Sequence, residues 1–402
     1  MSGWPTLCLG EICVSQTGSR DPRRQPNELF RYVDIAAVDN KAKRIVDPSL
    51  LVGKDAPSRA RQILKEGDVI VSMTRPNLNA VALVPRELDS EICSTGFAVL
   101  RSKPCVLPGY IFHYVRTPTF ISRTTSAVSG ALYPAITASF LRSLPIPLPP
   151  MEEQRRIVGL LDRAAEIRRR ADAARAKARA IIPSLFLDMF GDPATNPKGW
   201  PVTTVGKLAN VELRNGISPS KSGTVTGKVL TLSAITRGAF DAAAFKESLF
   251  AAPLAPEQSV SRSSFLICRG NGNPELVGRG TFPTADMPDT AFPDTIIALR
   301  GVSGELSPAY LSALWATDYM RRQIKAAAKT TNGTYKISQG GILSFELPLP
   351  PLPLQTAFAE QAQRLEATAR ALDTAAAKAE AMAAGLSAEV FGDSPNRGNS
   401  HG

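Results

Sequence analysis

The chain has 402 residues, of which 44% are hydrophobic and 21% charged, a size and composition typical of a soluble protein with two or three globular domains. The formal net charge of +11 favours a polyanionic partner. Nucleic acid is favoured over a membrane, because the sequence has no lipidation signal and no basic amphipathic anchor. The lack of a long apolar run and of a signal peptide predicts a cytoplasmic protein. Five scattered cysteines and two histidines, none in metal-ligand spacing, argue against a disulfide framework, a metal site and histidine-based catalysis.

In chain order, the sequence presents the same arrangement twice. Residues 69–73 and 97–100 are predicted strands, and residues 110–115 are predicted to be helical or buried. Residues 265–268, 296–300 and 310–317 repeat them in order. Three short segments also recur: Trp4-Pro5 as Trp200-Pro201, the proline-rich 144–150 as 347–353, and Phe190-Gly191-Asp192 as Phe391-Gly392-Asp393. Because a period near 200 residues is too long for a solenoid, each copy is a whole domain followed by a helix.

The predicted fold is α+β, with two tandem globular domains separated by two long helices and internal pseudo-twofold symmetry. The predicted boundaries are 1–150 and 192–353 for the domains, 151–191 and 354–392 for the helices, and 393–402 for a disordered tail. Pro183 is predicted to kink or end the first helix, because proline removes a backbone donor.

The two helical segments carry apolar residues at alternating spacings of three and four, which is the pattern of a coiled-coil seam. In the first helix the predicted seam is Ile157, Leu160, Ala164, Ile167, Ala171, Ala174, Ala178, Ile181 and Leu185. In the second it is Phe358, Ala362, Leu365, Ala369, Leu372, Ala376, Ala379, Ala383, Leu386 and Val390. Charges balance to +4 over 152–179 and to −2 over 354–391, which favours pairing of the helices with each other. The excess positive charge could equally face DNA phosphates.

Motifs for catalysis are missing from the sequence. It has no phosphate-binding Gly-x-x-x-x-Gly-Lys loop and no Asn/Asp-Pro-Pro-Tyr/Phe site of an amino-methyltransferase. Asp289 and Asp294, each preceded by proline, lack the acid-x-Lys partner that a nuclease would need. We therefore predict a chain with no catalytic residue and no metal site of its own.

Two sets of polar residues recur in both copies and are predicted to contact DNA. The first is Arg75, Asn77 and Asn79, answered by Arg269, Asn271 and Asn273. Arginine can bond guanine and asparagine adenine with two hydrogen bonds in the major groove. The alternative is a polar turn rich in asparagine and glycine for backbone reasons.

The second set is Arg123, Thr124 and Tyr133, answered by Asn332, Thr334, Tyr335 and Lys336. Hydroxyl groups and cationic side chains suit phosphate contacts, which position a protein on DNA without specifying sequence. An exposed polar loop without a ligand is the competing interpretation. Arg214-Asn215-Gly216 has no clear counterpart in the first copy and is a weaker candidate.

Residues 144–157, Leu-Pro-Ile-Pro-Leu-Pro-Pro-x-Glu-Glu-Gln-x-x-Ile, followed by a long helix and then repeated, resemble the specificity subunits of Type I restriction–modification systems. The segment 130–136 resembles the one that precedes this signature in the family. The second copy keeps the glutamine as Gln355 but lacks the paired glutamates, which is expected to weaken the start of its helix. The resemblance implies that each domain is a target recognition domain reading half of a split DNA sequence, and that the two helices pack antiparallel.

The resemblance also implies partners and cofactors outside this chain. Two methyltransferase subunits would dock on the helices and methylate adenine at N6 with S-adenosylmethionine, after flipping the base into their own pocket. Restriction subunits using ATP and Mg would make the assembly a site-specific deoxyribonuclease. The family is prokaryotic and cytoplasmic, and DNA binding would associate it with the nucleoid.

The predicted seam from Ile157 to Leu185 would be about 42 Å long at about 1.5 Å per residue, or about 12 base pairs of DNA. Because the two candidate reading loops differ in sequence, we predict an asymmetric split target. Two alternatives stay open: a two-headed coiled-coil scaffold that binds protein without sequence-specific DNA recognition, and the detached recognition part of a fused restriction enzyme. Sequence-selective DNA binding that falls steeply with salt would exclude the scaffold.

Overall fold

A computed structural model of the chain describes residues 3–128, 135–220, 222–331 and 333–392. The chain divides into two compact units, Met1–Ala171 with Leu372–Gly402, and Asp172–Ala371. Each unit contains one globular domain and a part of each long helix. The predicted α+β architecture with two tandem domains is confirmed. The predicted tail lies outside the described residues.

The first domain contains strands β1 to β11 and helices α1 to α4. Its strands are β1 Thr6–Cys8, β2 Leu29–Val33, β3 Val38–Asp39, β4 Arg44–Ile45, β5 Ser49–Val52, β6 Ala60–Ile63, β7 Val69–Ser72, β8 Val81–Leu83, β9 Ile92–Ser94, β10 Phe97–Leu100 and β11 Pro145–Pro147. Its helices are α1 Leu9–Ile12, α2 Pro108–Tyr114, α3 Pro118–Ser126 and α4 Ala138–Ser143. The long helix α5, Met151–Phe190, follows.

The second domain contains strands β12 to β24 and helices α6 to α9. Its strands are β12 Val202–Thr204, β13 Glu212–Asn215, β14 Val225–Leu230, β15 Phe245–Phe250, β16 Ser259–Val260, β17 Phe265–Cys268, β18 Gly270–Asn271, β19 Gly280–Thr281, β20 Met287–Ala291, β21 Ile296–Arg300, β22 Lys329–Thr331, β23 Thr334–Lys336 and β24 Glu346–Pro348. Its helices are α6 Ser233–Thr236, α7 Pro308–Trp315, α8 Asp318–Ala327 and α9 Gln339–Leu343. The long helix α10, Leu352–Phe391, closes the described chain.

The duplication extends into segments where the two copies share no recognisable sequence. The first unit has a sheet of order β5-β2-β9-β6, and the second has β15-β14-β20-β16 with the same pattern of antiparallel, parallel and antiparallel neighbours. In both units a largely apolar strand pair, β7 with β10 and β17 with β21, packs against the following helix, α2 or α7. One scaffold has therefore been used twice, with loops of different sequence.

A buried glutamine after each proline-rich segment joins the start of the long helix to its domain. The Nε2 of Gln154 donates to the carbonyls of Pro149 (2.8 Å) and Cys105 (3.1 Å), and its Oε1 accepts from Leu107 N (2.9 Å). Gln355 makes the same three bonds, to Pro350 O, Glu305 O and Ser307 N. Both side chains are 0% exposed. The glutamine common to the two copies is thus the residue that fixes the helix on the domain.

We expect Gln154→Ala to lower the free energy of unfolding by about 2 kcal/mol, because it removes three hydrogen bonds and leaves the buried carbonyl of Pro149 without this partner. Gln363→Ala, an exposed glutamine on α10, is the matched control, and its effect should stay within about 0.5 kcal/mol. Urea unfolding of the full chain measures both. Equal effects of the two substitutions would contradict the bonding assigned to Gln154.

The helix that follows the first domain ends in the core of the second unit, and the helix that follows the second domain ends in the core of the first unit. The ring of Phe391 at the end of α10 packs on two tyrosine rings of the first unit, with centroid distances of 5.0 Å to Tyr110 and 5.7 Å to Tyr114. Phe190 at the end of α5 contacts the rings of Tyr310 (4.8 Å) and Phe358 (5.5 Å) in the second unit. The repeated Phe-Gly-Asp segment therefore marks the point where a helix closes the other copy's core.

The helices pair antiparallel, and in the first unit they also pair by charge. Arg168 of α5 lies 3.5 Å from a carboxylate oxygen of Asp373 and 3.9 Å from one of Glu380, both on α10. Near the other end of this segment, Ile157 of α5 and Val390 of α10 belong to the same core. The opposite charge balances of the two helices thus have a structural counterpart.

The seam of α10 follows the predicted positions, and that of α5 follows them except at Leu160 and Ile181. On α10 Leu365 and Leu372 are half-buried, and Phe358, Ala362, Ala369, Ala376 and Val390 are buried. On α5 Ile157, Ala164, Ala171 and Ala178 are buried as predicted and Ile167 is half-buried, but Leu160 and Ile181 are 40% and 44% exposed.

At these two places the next residue is covered instead, since Leu161 is buried and Ile182 is partly buried. Arg168, next to Ile167, makes the ion pairs with α10. Spacings of three and four residues fit Leu160 and Leu161 equally well, so the apolar pattern alone does not choose between them. A charged residue such as Arg168 is not found by a search for apolar spacing.

Pro183, predicted to kink or end the first helix, does not end it, since α5 continues to Phe190. Phe186 and Phe190 beyond the proline are buried in the core of the second unit, and their burial outweighs one lost backbone bond.

Of the residues that the structure describes, none belong to a helix long and apolar enough to cross a membrane.

Candidate nucleic-acid interface

The first candidate reading loop follows β7 and is a single 3-10 turn, Pro76–Leu78. Arg75 and Asn77 are exposed, and their contact with DNA stays a prediction. Asn79 is only 6% exposed, and its Nδ2 donates to Val115 O at 2.8 Å. Its Oδ1 accepts from Nζ of Lys43 at 2.9 Å. The prediction that Asn79 reads a base is therefore wrong, because its amide is buried and already bonded.

The second candidate loop lies at the corresponding position after β17. The carbonyl of Arg269 accepts from Ile337 N at 2.9 Å, and its guanidinium donates to Asp294 O at 3.3 Å. Asn271 is half-buried and Asn273 exposed, and each accepts a backbone N–H two residues ahead at 2.9 Å. The side-chain amides of both asparagines keep their donors for a ligand.

The two predicted sets of the second domain meet in one small sheet. Gly270 pairs with Lys336 and Asn271 with Tyr335, so that β18, β23 and β22 form a three-stranded sheet. Lys336 is exposed, and Thr334 and Tyr335 are half-exposed. In the first unit, α3, which carries Arg123, packs against the 3-10 turn of the reading loop. Sequence reasoning did not foresee that the two sets lie together in each domain.

Thr124 is 1% exposed, and its hydroxyl lies 2.9 Å from Phe120 O and 3.0 Å from Ile121 O. The predicted phosphate contact of Thr124 is therefore wrong, because the hydroxyl caps its own helix backbone in the interior. Tyr133 and Asn332 lie outside the described residues, as does most of segment 130–136.

Strand pairing supplies the counterpart that Arg214-Asn215-Gly216 lacked in sequence. Glu212 pairs with Arg300, and Val14 N donates to Arg101 O in the first unit. Arg101 and Arg300 are themselves equivalent, since each donates a hydrogen bond to the residue just before the neighbouring apolar strand. That residue is Asp68 before β7 and Ser264 before β17.

Val14 is therefore the equivalent of Glu212, and two residues farther along the chain Gln16-Thr17-Gly18 is the equivalent of Arg214-Asn215-Gly216. The shared glycine was the only available signal, and Gly18 has a φ of +86°.

Positive charge is concentrated around the first loop. Lys43 is half-buried beside it, and its pKa is lowered to about 8 by burial and by the nearby charge of Arg116. The guanidinium of Arg116 lies 4.8 Å above the ring of Phe112. With exposed Arg75 on the loop itself, cationic side chains lie on and beside the first loop, which suits a polyanionic ligand.

The second unit also contains a groove of about 930 Å³ along α7, lined by Ala309, Ala313 and Ala316 and by Phe186 and Phe358 of the long helices. The corresponding positions of the first unit are occupied differently. There His113 bonds Asp162 at 2.8 Å, and Gly109 lies directly against Val158. The two units therefore differ in the surface that they offer beside the helices.

Comparison with known proteins finds a family model that matches the first part of the chain and relatives that cover most of it. Residues 1–169 match the model of the Type I restriction modification DNA specificity domain. The EcoKI specificity subunit of Escherichia coli K12 is 25% identical over 343 residues, covering 81% of this chain and 73% of its own. The StySPI specificity subunit of Salmonella potsdam is 21% identical over 401 residues, covering 92% and 84%.

Two solved structures agree with this fold over nearly the whole chain. One, from a study of complex assembly and conformational transition in the type I R-M system, is 28% identical with a TM-score of 0.59, covering 97% of this chain and 98% of its own. The S subunit from M. genitalium is 13% identical with a TM-score of 0.62, covering 98% and 97%, and shows the likeness of the fold.

Proposed function

We propose that the chain is a specificity subunit of a Type I restriction–modification system, and that its two domains read the two halves of one split, asymmetric DNA target. The observation that carries this proposal is the reuse of one scaffold with two different reading loops. The 3-10 turn Pro76–Leu78 and the strand Gly270–Asn271 occupy the same place after equivalent strands. Equivalent placement with unequal side chains is what reading two different half-sites requires.

We assign base contacts to the exposed or half-exposed polar side chains of these loops and phosphate contacts to the neighbouring cations. Arg75 and Asn77 in the first domain, and Arg269 and Asn271 in the second, keep donors that can face base edges. Lys336 is exposed beside the second loop and suits a phosphate. Base contacts would set the sequence, and phosphate contacts would set the position on the duplex.

The central test is substitution of each reading arginine in turn. Arg75→Ala should relax recognition of the first half-site only and Arg269→Ala that of the second only, each by about 1–3 kcal/mol if the arginine bonds guanine. Methylation rates of the assembled complex, on the cognate target and on single-base variants of each half-site, measure this. Lys336→Ala serves as the control and should weaken binding to all sequences alike. Equal loss on every sequence for the arginine variants would make them phosphate contacts and contradict the assignment.

We further propose that the long helices dock two methyltransferase subunits and, for cleavage, restriction subunits. Apolar side chains on the helices that the chain itself leaves uncovered support this, namely Leu160, Ile181 and Leu187 on α5 and Met382 on α10, which are 40–70% exposed. In this proposal the chain holds no cofactor and no catalytic residue. S-adenosylmethionine would bind in the methyltransferase, and ATP and Mg in the restriction subunit. The assembled complex would methylate adenine at N6 and, with the restriction subunit, cleave DNA.

A further inference from the structure

Lys43, which belongs to a different hairpin, holds the first reading loop in place. It lies in the turn between β3 and β4, and its Nζ donates to the backbone carbonyl of Asn79 at 2.5 Å and to the side-chain Oδ1 at 2.9 Å. The Nδ2 of Asn79 in turn donates to Val115 O at the end of α2. The hairpin, the reading loop and the α2–α3 corner are therefore joined through one amide side chain.

The backbone at this junction is held in an unfavourable conformation. Lys43, Arg75 and Asn79 have φ values of 55°, 47° and 46°, in the left-handed region that non-glycine residues rarely adopt. Arg75 and Asn79 flank the 3-10 turn on both sides. Such strain persists only where surrounding contacts determine the conformation, and it concentrates at functional sites. The bonds from Lys43 and to Val115 are the contacts that hold the loop here.

The ammonium of Lys43 is an unusual choice for a purely structural bond. It is half-buried, and its lowered pKa reflects loss of hydration and the neighbouring charge of Arg116. Its hydrogen-bond acceptors are the two oxygens of Asn79, whereas the carboxylate on its own hairpin, Asp39, accepts the N–H groups of Lys41 and Ala42. A cation desolvated in this way makes strong, directional bonds that restrict the loop.

The second reading loop is fixed by other means. Gly270 and Asn271 are paired with β23 through the backbone, and the carbonyl of Arg269 accepts from Ile337 N. Backbone pairing does not depend on one side chain. A change that releases the first loop should therefore leave the second untouched.

We propose that Lys43 is a positioning residue for sequence recognition, which fixes through Asn79 the direction in which Arg75 and Asn77 are presented to the first half-site. This inference rests on the proposed function of the loop as a base reader. Lys43 itself need not contact DNA, and its role is distinct from that of the exposed cations around it.

The test is Lys43→Met in the full chain assembled with its methyltransferase, with Lys41→Met as matched control. Both variants remove one positive charge from the same turn, but Lys41 is exposed and its ammonium is not bonded to the loop. We expect discrimination between the cognate target and single-base variants of the first half-site to fall about tenfold in Lys43→Met. Discrimination at the second half-site, and both ratios in Lys41→Met, should stay at wild-type values.

Asn79→Gly gives a second route to the same result, because glycine keeps the left-handed backbone but removes the amide. It should lower first-half-site discrimination as Lys43→Met does, and the double variant should lose little more than either single one. Unchanged discrimination in both variants would overturn the proposal. If Lys43→Met instead weakened binding to all sequences equally, and reduced the salt dependence of binding as much as Lys41→Met does, Lys43 would be a phosphate contact. That result would also overturn the proposal.

A lowered melting temperature with intact discrimination would reduce the bond to a structural role and overturn the proposal as well. If the wild-type complex discriminated at no base of either half-site, the proposed function would fail first. If the wild-type complex discriminated between bases and Lys43→Met discriminated equally well, only the inference about Lys43 would be contradicted.

Discussion

Replacing Phe391 with alanine is expected to lower the free energy of unfolding by about 3–5 kcal/mol, the usual loss for a buried phenylalanine. The side chain is 3% exposed and lies against Tyr110 and Tyr114. Its removal leaves a cavity in the first unit, although it is more than 270 residues from those tyrosines in sequence. Phe190→Ala should do the same in the second unit, where Phe190 packs on Tyr310.

Phe245→Ala is the matched control for both, because that ring is 37% exposed on the edge strand β15. Its cost should be clearly smaller, since a partly exposed ring leaves no closed cavity. Denaturant unfolding of the full chain, followed by fluorescence, measures all three variants. A loss for Phe391→Ala no larger than that for Phe245→Ala would show that α10 does not close the first core.

Replacing both Leu365 and Leu372 with aspartate is expected to abolish assembly with the methyltransferase while each globular domain stays folded. Both leucines are half-buried in the helix seam, and a desolvated carboxylate without a partner costs several kcal/mol. Opening the seam would also disturb the uncovered apolar residues that we assign to docking. Co-purification of the subunits, with circular dichroism of the variant, measures the two parts of this prediction.

The matched control is the pair Ala367→Asp and Ala375→Asp, which adds the same charge to exposed positions of α10. The control chain should keep the helix pairing. Assembly retained by the Leu365 and Leu372 variant would show that the seam does not organise the docking surface. Loss of assembly in the control alone would place docking on the outer face of α10.

The duplication and the long helices could be predicted from the sequence because they depend on local pattern. The helix Met151–Phe190 begins at the predicted residue and ends one residue early, and Leu352–Phe391 begins two residues early. The seam of α10 followed its apolar spacing because leucine and phenylalanine anchor the register at Phe358, Leu365 and Leu372. In α5 the predicted alanines are buried as well, but apolar spacing did not show that Leu161 is buried in place of Leu160 or that Arg168 pairs with α10.

The errors at the candidate site arise from contacts between segments that are distant in sequence. Asn79 and Thr124 belong to residue types that suit DNA contacts, but their partners are Lys43, Val115 and the helix backbone. The role of the repeated Phe-Gly-Asp segment was hidden for the same reason, because Phe391 packs in the domain at the other end of the chain. Pattern and propensity report on neighbours along the chain, whereas these residues are defined by tertiary packing.

The central claim, that two copies of one scaffold read two different half-sites, is tested most directly by mapping methylated bases. The DNA would come from cells that carry this chain and its methyltransferase, with Arg75→Ala and Arg269→Ala strains alongside. We predict methylated adenines within one split, non-palindromic sequence that has an unread spacer, with each variant relaxing one half only. Methylation without sequence preference, or at a palindrome affected equally by both variants, would contradict the account.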